Sequence, residues 1–177
     1  MSRTAAAIKL RAWQETDLPV LIAMRNDVAL QAQLLATARG SDEDAVRAWL
    51  AGRTGGTGRI FRVIAEALTD EPVGYLQAEL PGEQPDEWRF GICLIERRQG
   101  EGRGTAALLA LERELARDFG ARRLTLEVDS TNERAIRCYR RLGYAGYGAP
   151  ARQVIVCDQP RQVIAMAKPV TPGEARA

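Results

Sequence analysis

The segment Gln99-Gly100-Glu101-Gly102-Arg103-Gly104-Thr105-Ala106 constrains this chain more than any other stretch. It follows an apolar run, Phe90-Gly91-Ile92-Cys93-Leu94-Ile95, and opens a helical pattern from Ala106 to Phe119. Within that pattern Leu108, Leu111, Leu115 and Phe119 recur at the helical period, and Gly120 closes it. A strand that passes through glycines into a helix start is suited to an anion. Glycine has no Cβ, so the anion can come close to the backbone. The first amides of a helix lack an intrahelical acceptor, and the helix dipole places partial positive charge there. The segment reads as a phosphate cradle.

The rest of the composition narrows what such a cradle can serve. With 177 residues, 46% of them hydrophobic and 27% charged, the chain is long enough for one ordinary domain with a real core. The expected domain is 1–177, with residues 1–7 and 169–177 as tails. A net charge of +2 gives no argument for nucleic acid or an acidic membrane surface. No apolar run approaches the ~20 residues that span a bilayer, and Met1–Ala7 lacks the core of a signal peptide. Cys93, Cys138 and Cys157 are odd in number, far apart and set among apolar residues, as expected of reduced, buried thiols in a cytoplasmic protein. The chain contains no histidine, which removes histidine triads, histidine bases and histidine-containing zinc sites together. No metal is expected. A base must be a carboxylate, a tyrosine, a thiolate or water.

In chain order, Ile8–Trp13 alternates as a half-buried strand. Thr16 is expected to cap a helix with Pro19 in its first turn; Asn26 and Asp27 interrupt it, and Val28–Ala36 is a second helical piece. Ser41-Asp42-Glu43-Asp44 starts a helix that buries Val46, Trp49 and Leu50. Gly52–Gly58 reads as a solvated loop, because its glycines lack the Lys-Ser/Thr of a P-loop. Arg59–Ala67, Val73–Leu80 and Trp88–Ile95 are strands joined by segments too short for a crossover helix, which favours an antiparallel meander. Arg123–Val128 is a further strand. Ser130-x-x-Glu133 has the form of a capping box for a short helix carrying Ala135, Cys138, Tyr139 and Leu142. Val154–Cys157 and Gln162–Met166 flank Asp158–Arg161 as a final hairpin.

The cradle does not fit a dinucleotide site. That fingerprint needs Gly-x-Gly-x-x-Gly in a first strand–helix–strand unit, whereas here the third glycine position, counted from Gly100, is Thr105 and a meander precedes the loop. Instead, Gln99-x-x-Gly102-x-Gly104 resembles the pyrophosphate-binding motif of the GNAT superfamily of acyl-CoA-dependent N-acetyltransferases. The segment Asn132 to Tyr144, with Ala135-x-x-x-Tyr139 and the ending Leu142-Gly143-Tyr144, resembles that family's second signature. Leu10–Trp13, Thr16-Asp17-Leu18 and Arg25-Asn26-Asp27 are similar to the branch containing ribosomal-protein and spermidine acetyltransferases. The resemblance spans Leu10 to Met166.

The resemblance implies an α/β (α+β) fold: a mixed, mostly antiparallel sheet of about seven strands flanked by about four helices, splayed where CoA enters. It implies acetyl transfer from acetyl-CoA to a primary amine by direct attack, with no covalent enzyme intermediate. Backbone amides of Gly100, Glu101, Gly102, Arg103, Gly104 and Thr105, behind Gln99, would hold the pyrophosphate. The edge of Ile92-Cys93-Leu94 would bond the pantetheine arm and offer an amide to the thioester carbonyl, and Asn132 would contact the same arm. Tyr139 would protonate the departing thiolate. Arg103 and the arginines of 134–141 are candidates for the 3′-phosphate.

For the base, the strand before the glycine loop carries Arg89 where related proteins often carry a carboxylate. Glu127 aligns with a base of some ribosomal-protein acetyltransferases; Glu79 is a second candidate, and a solvated carboxylate is the plain alternative for both. The acceptor expected is a protein N-terminus, a polyamine, or an amino sugar or aminoglycoside, held by the helices between Thr16 and Leu50 and by loop Pro81–Asp86. A non-catalytic CoA-binding sensor is the reading of another class. The family makes a homodimer plausible.

Overall fold

The computed structural model describes residues 7–82, 84–148 and 152–171. The strands are β1 (Ile8–Arg11), β2 (Arg59–Glu66), β3 (Pro72–Glu79), β4 (Glu87–Leu94), β5 (Arg123–Asp129), β6 (Ala145–Gly146), β7 (Arg152–Val156) and β8 (Gln159–Pro169). The helices are α1 (Leu18–Asn26), α2 (Val28–Gln33), α3 (Glu43–Thr54), α4 (Arg103–Asp118) and α5 (Glu133–Arg141). The sheet runs β1-β2-β3-β4-β5-β8-β6, with β7 also on β8, and only β4–β5 is parallel. It is the mixed, mostly antiparallel sheet expected, with one more strand and one more helix. Two-residue β6 is too short to show alternation. Asp27 separates α1 from α2 by turning extended (φ −75°, ψ 106°) and capping α2 through Leu30 N at 2.9 Å.

Several local expectations shift by a few residues. Asp17, not Thr16, starts α1: it is buried, accepts from Gln14 N at 2.8 Å and pairs with Arg11 at 2.7 Å. Asn132, not Ser130, caps α5, accepting from Ala135 N at 3.2 Å. The last hairpin turns at Cys157-Asp158, both with positive φ (50° and 60°), so Gln159 and Pro160 already belong to β8. Paired positive φ matches the twist of flanking strands in a two-residue turn. That turn leaves Cys157 exposed rather than buried; Cys93 is buried and Cys138 half-buried. The chain is also held beyond the expected start of the tail: Pro169 ends β8, and buried Val170 donates to Arg122 O at 2.8 Å. Residues 1–6 and 172–177 lie outside the described residues. No helix among the described residues is long and apolar enough to cross a membrane.

The sheet has an apolar layer on each face. On one face α4 and α5 lay Leu108, Leu111, Leu115, Ile136 and Tyr139 against Ile64, Leu76, Phe90, Leu124 and Leu126. On the other, α1, α2 and α3 lay Leu21, Met24, Leu30, Val46 and Leu50 against Phe61, Val63, Tyr75 and Cys93. Each fully buried leucine contributes about 1.5–3 kcal/mol. Tyr144 bonds Glu112 at 2.9 Å and Lys168 pairs with Glu112 at 2.7 Å, which ties α4 to β8 beneath the aromatic cluster of Phe90, Tyr139 and Tyr144. Alternation along β3, β4 and β5 then fixes which face each polar side chain meets.

Candidate active site

β4 and β5 are joined only over Glu87–Arg89 and Arg123–Thr125. Beyond Arg89 the two parallel strands separate, while β4 stays paired to β3 as far as Gly74 and β5 to β8 as far as Val163. The edge of β4 from Phe90 to Leu94 is thus unpaired on its β5 side. A cleft of about 410 Å³ opens at this split.

The glycine loop forms one end of the cleft. Gly100 and Gly102 have φ of 87° and 82°, values that favour glycine. Gly102 is the N-cap of α4 and supplies no side chain to cap it. The first intrahelical bond is Ala106 N to Gly102 O at 2.9 Å, so the amides of the preceding turn have no acceptor within the helix. A Cβ on Gly104 would lie 3.4 Å from Leu94 Cδ1, so the helix start packs directly against the strand end. Gln99 fixes the loop from behind by donating to Leu94 O at 2.7 Å. An exposed helix start with no cap, approached through residues without side chains, suits a pyrophosphate.

Tyr139 stands on the wall formed by α5, against Phe90 and Tyr144 at ring separations of 6.3 and 6.0 Å. Burial pushes its phenol well above the ordinary range, so it stays protonated at neutral pH. Its hydroxyl makes no hydrogen bond to another described residue. Cys138 Sγ lies 3.4 Å from Thr105 Oγ1, which joins α5 to the start of α4 across the cleft.

The opposite end is polar and faces α2 and α3. Gly91 interrupts the row of side chains on β4, and a Cβ there would meet Gln77 Nε2 at 3.5 Å. The Oε1 of Gln77 is buried without a partner. Glu79 accepts from Arg89 at 2.7 Å and faces Arg53 at 3.6 Å. The bond from Arg89 holds the Glu79 carboxyl below its usual range, helped by the nearby charges of Arg53 and Arg59. Glu127, on β5, pairs with Arg152 at 2.5 Å.

Most of the residues expected in the site come together here. Ile92, Leu94, Gln99, Gly100, Gly102, Gly104, Thr105, Glu127, Asn132 and Tyr139 all line the cleft. Three others do not line it. Cys93 points into the α1–α3 layer, and burial pushes its thiol up to about 12. Glu101 pairs with Arg103. The Arg103 guanidinium is buried against Glu66 at 2.8 Å, so the side chain anchors the loop instead of meeting a ligand. Of the arginines on α5, Arg134 and Arg141 line the cleft and Arg137 pairs with Glu133. Residues 33–35 fall in the stretch expected to hold the acceptor, whereas Arg53, Gln77 and Arg152 were missed from the sequence. Gly91 was the available signal, since a glycine inside a strand often marks a close approach. No described residue of loop 81–86 lines the cleft; residue 83 lies outside the described set.

A family model described as an acetyltransferase (GNAT) domain matches residues 7–145. The chain belongs to the GNAT acetyltransferase family. Over 71 residues it is 37% identical to the Uncharacterized N-acetyltransferase YdgE of Bacillus subtilis (strain 168), a match covering 40% of this chain and 45% of that relative. The chain thus spans about half the length of the curated relative it matches. Among solved structures it is similar to the spermidine N-acetyltransferase of Vibrio cholerae in complex with CoA and spermine: TM-score 0.83, 15% identity, 92% of this chain and 95% of that one. An N-acetyltransferase from Staphylococcus aureus Mu50 is similar at TM-score 0.77 and 17% identity, over 92% and 98% of the two chains. At these identities the structures agree in fold.

Proposed function

We propose that the protein transfers an acetyl group from acetyl-CoA to a primary amine by direct attack of the amine nitrogen on the thioester carbonyl. One observation carries this reading: a single cleft combines an uncapped helix start, an unpaired strand edge and a protonated tyrosine whose hydroxyl has no partner among the described residues. The α4 start fits the pyrophosphate, and Arg134 and Arg141, in the lining of the same cleft, would serve further phosphates. The open β4 edge fits the amide-rich pantetheine arm, which would add to it as a strand would. An amide of that edge would stabilise charge on the thioester oxygen, an effect worth about 3 kcal/mol where it has been measured.

Proton balance assigns the remaining roles. The amine must lose a proton as the N–C bond forms, and the sulfur gains one as the C–S bond breaks. Tyr139 donates to the sulfur, because its hydroxyl is protonated and unengaged. Glu127 accepts from the amine, directly or through water: it sits on β5 across the split from Gln77 and Arg89. Glu79 is the second candidate; the bond from Arg89 holds its carboxyl below the usual range. Asn132 keeps a side-chain amide group for the pantetheine arm while its Oδ1 caps α5.

Thiol release from acetyl-CoA in the presence of amines tests this reading. Amine-dependent release in the wild type is expected, with Glu127→Gln lowering the rate and flattening its rise with pH. Absence of release with every amine would remove the proposal; an unchanged pH–rate profile in the variant would remove Glu127 as base.

A further inference from the structure

The acceptor end of the cleft holds more positive charge than its carboxylates balance. Cross-strand register places Arg59 and Arg89 on either side of Glu79, and Arg53 approaches from the end of α3. Three guanidiniums therefore surround one carboxylate. Arg89 bonds it at 2.7 Å, Arg53 stands at 3.6 Å, and Arg59 donates to Gly52 O at 3.0 Å. The other carboxylate in the lining, Glu127, is matched by Arg152. Among the described residues that line the cleft, no aspartate and no further glutamate is left to receive an ammonium group. A substrate carrying several ammonium groups would meet uncompensated guanidiniums, and like charges brought together at an interface disfavour binding.

Gln77 lies opposite Gly91 in the β3–β4 register, two residues inward from Glu79 and Arg89, and its Oε1 is buried, shut off from the cleft. The surplus guanidinium therefore sits two residues out from Gly91 along the same strands. Arginine's planar fork suits a carboxylate or phosphonate.

We infer that the acceptor is a primary amine that also carries an oxyanion, its anion held at Arg53 and Arg89. This rests on the acetyl-transfer reading above and narrows it away from polyamines.

The test measures thiol release with amino acids of increasing spacing between amine and carboxylate, each beside its own amide. Aminoalkylphosphonates, short peptides with an acidic residue near the N-terminus, 1,4-diaminobutane and spermidine complete the panel. The best anionic amine should exceed its amide in kcat/KM by about tenfold or more, the size of effect expected for one well-placed charge pair. Arg89→Gln and Arg53→Gln should each shrink that ratio, mainly through KM of the anionic substrate; Arg89 is exposed, and unfolding curves check that both variants fold. A ratio near one, a ratio unchanged in both variants, or preference for spermidine or the diamine overturns the inference. Release with those cationic amines leaves acetyl transfer standing, whereas no release with any amine overturns both.

Discussion

Replacing Tyr139 with phenylalanine removes one oxygen and little else. The ring contacts to Phe90 and Tyr144 survive, because both are made by the aromatic system at 6.3 and 6.0 Å. The hydroxyl bonds no other described residue, so no partner is orphaned. The stability change should stay within about 0.5 kcal/mol, as for substitutions that create no cavity and no unpaired group. For a chain of this size that is a midpoint shift of about 1–2 °C. The effect on rate should be much larger. General acid catalysis by a placed side chain contributes about 10²–10⁴-fold, or roughly 3–5 kcal/mol of barrier. Thermal unfolding and thiol release on the same preparation separate the two quantities. A variant that keeps its midpoint and loses about a hundredfold or more in kcat agrees with a proton donor. A variant within threefold of wild type would refute that role. A fall in midpoint matching the loss of activity would make Tyr139 a packing residue.

Three further outcomes follow from other contacts. Arg103→Gln should lower the unfolding free energy by about 1–3 kcal/mol, since it strips half-buried Glu66 of its nearest cation; calorimetry checks this, and wild-type stability would show the ion pair to be idle. Gly91→Ala should be tolerated, because its Cβ meets Gln77 at ordinary contact distance, whereas Gly91→Leu should fill the acceptor end and abolish amine-dependent release while leaving the midpoint shift with acetyl-CoA intact. Cys93, whose thiol is held protonated up to about pH 12 by burial, should resist thiol reagents at pH 8 in the native protein, while exposed Cys157 reacts at once; thiol titration before and after unfolding reads this.

The glycine loop and the helix start behind it were legible in the sequence because their cause is local. Glycines, a preceding strand and a following helix are neighbours in the chain, and their geometry needs no distant partner. The alternation of Leu124, Leu126 and Val128 likewise fixed which face of β5 carries Glu127. Long-range pairing was not legible. Arg103 belongs to the cradle by position, yet its guanidinium turns to Glu66, 37 residues earlier. Arg89 looked like a missing carboxylate until β3 placed Glu79 beside it. Gln77 gave no signal, since a glutamine in a strand is unremarkable until its oxygen proves to be buried and unpaired. The last hairpin was expected to turn over Asp158–Arg161 and turns at Cys157-Asp158 instead; neither residue is the glycine that usually marks positive φ. Local geometry was legible in the sequence; charge balance, which depends on register, was not.

The central claim is that the split between β4 and β5 and the start of α4 form an acetyl-CoA site. Thermal unfolding of the intact chain with acetyl-CoA, with CoA and with NAD tests it most directly. A ligand at about 100 times its Kd adds about 2.7 kcal/mol of stability. At about 2–4 °C per kcal/mol for a chain of this length, the midpoint should rise by about 5–11 °C with acetyl-CoA and CoA, and stay unmoved with NAD. A midpoint unmoved by acetyl-CoA, or moved equally by NAD, would contradict the account.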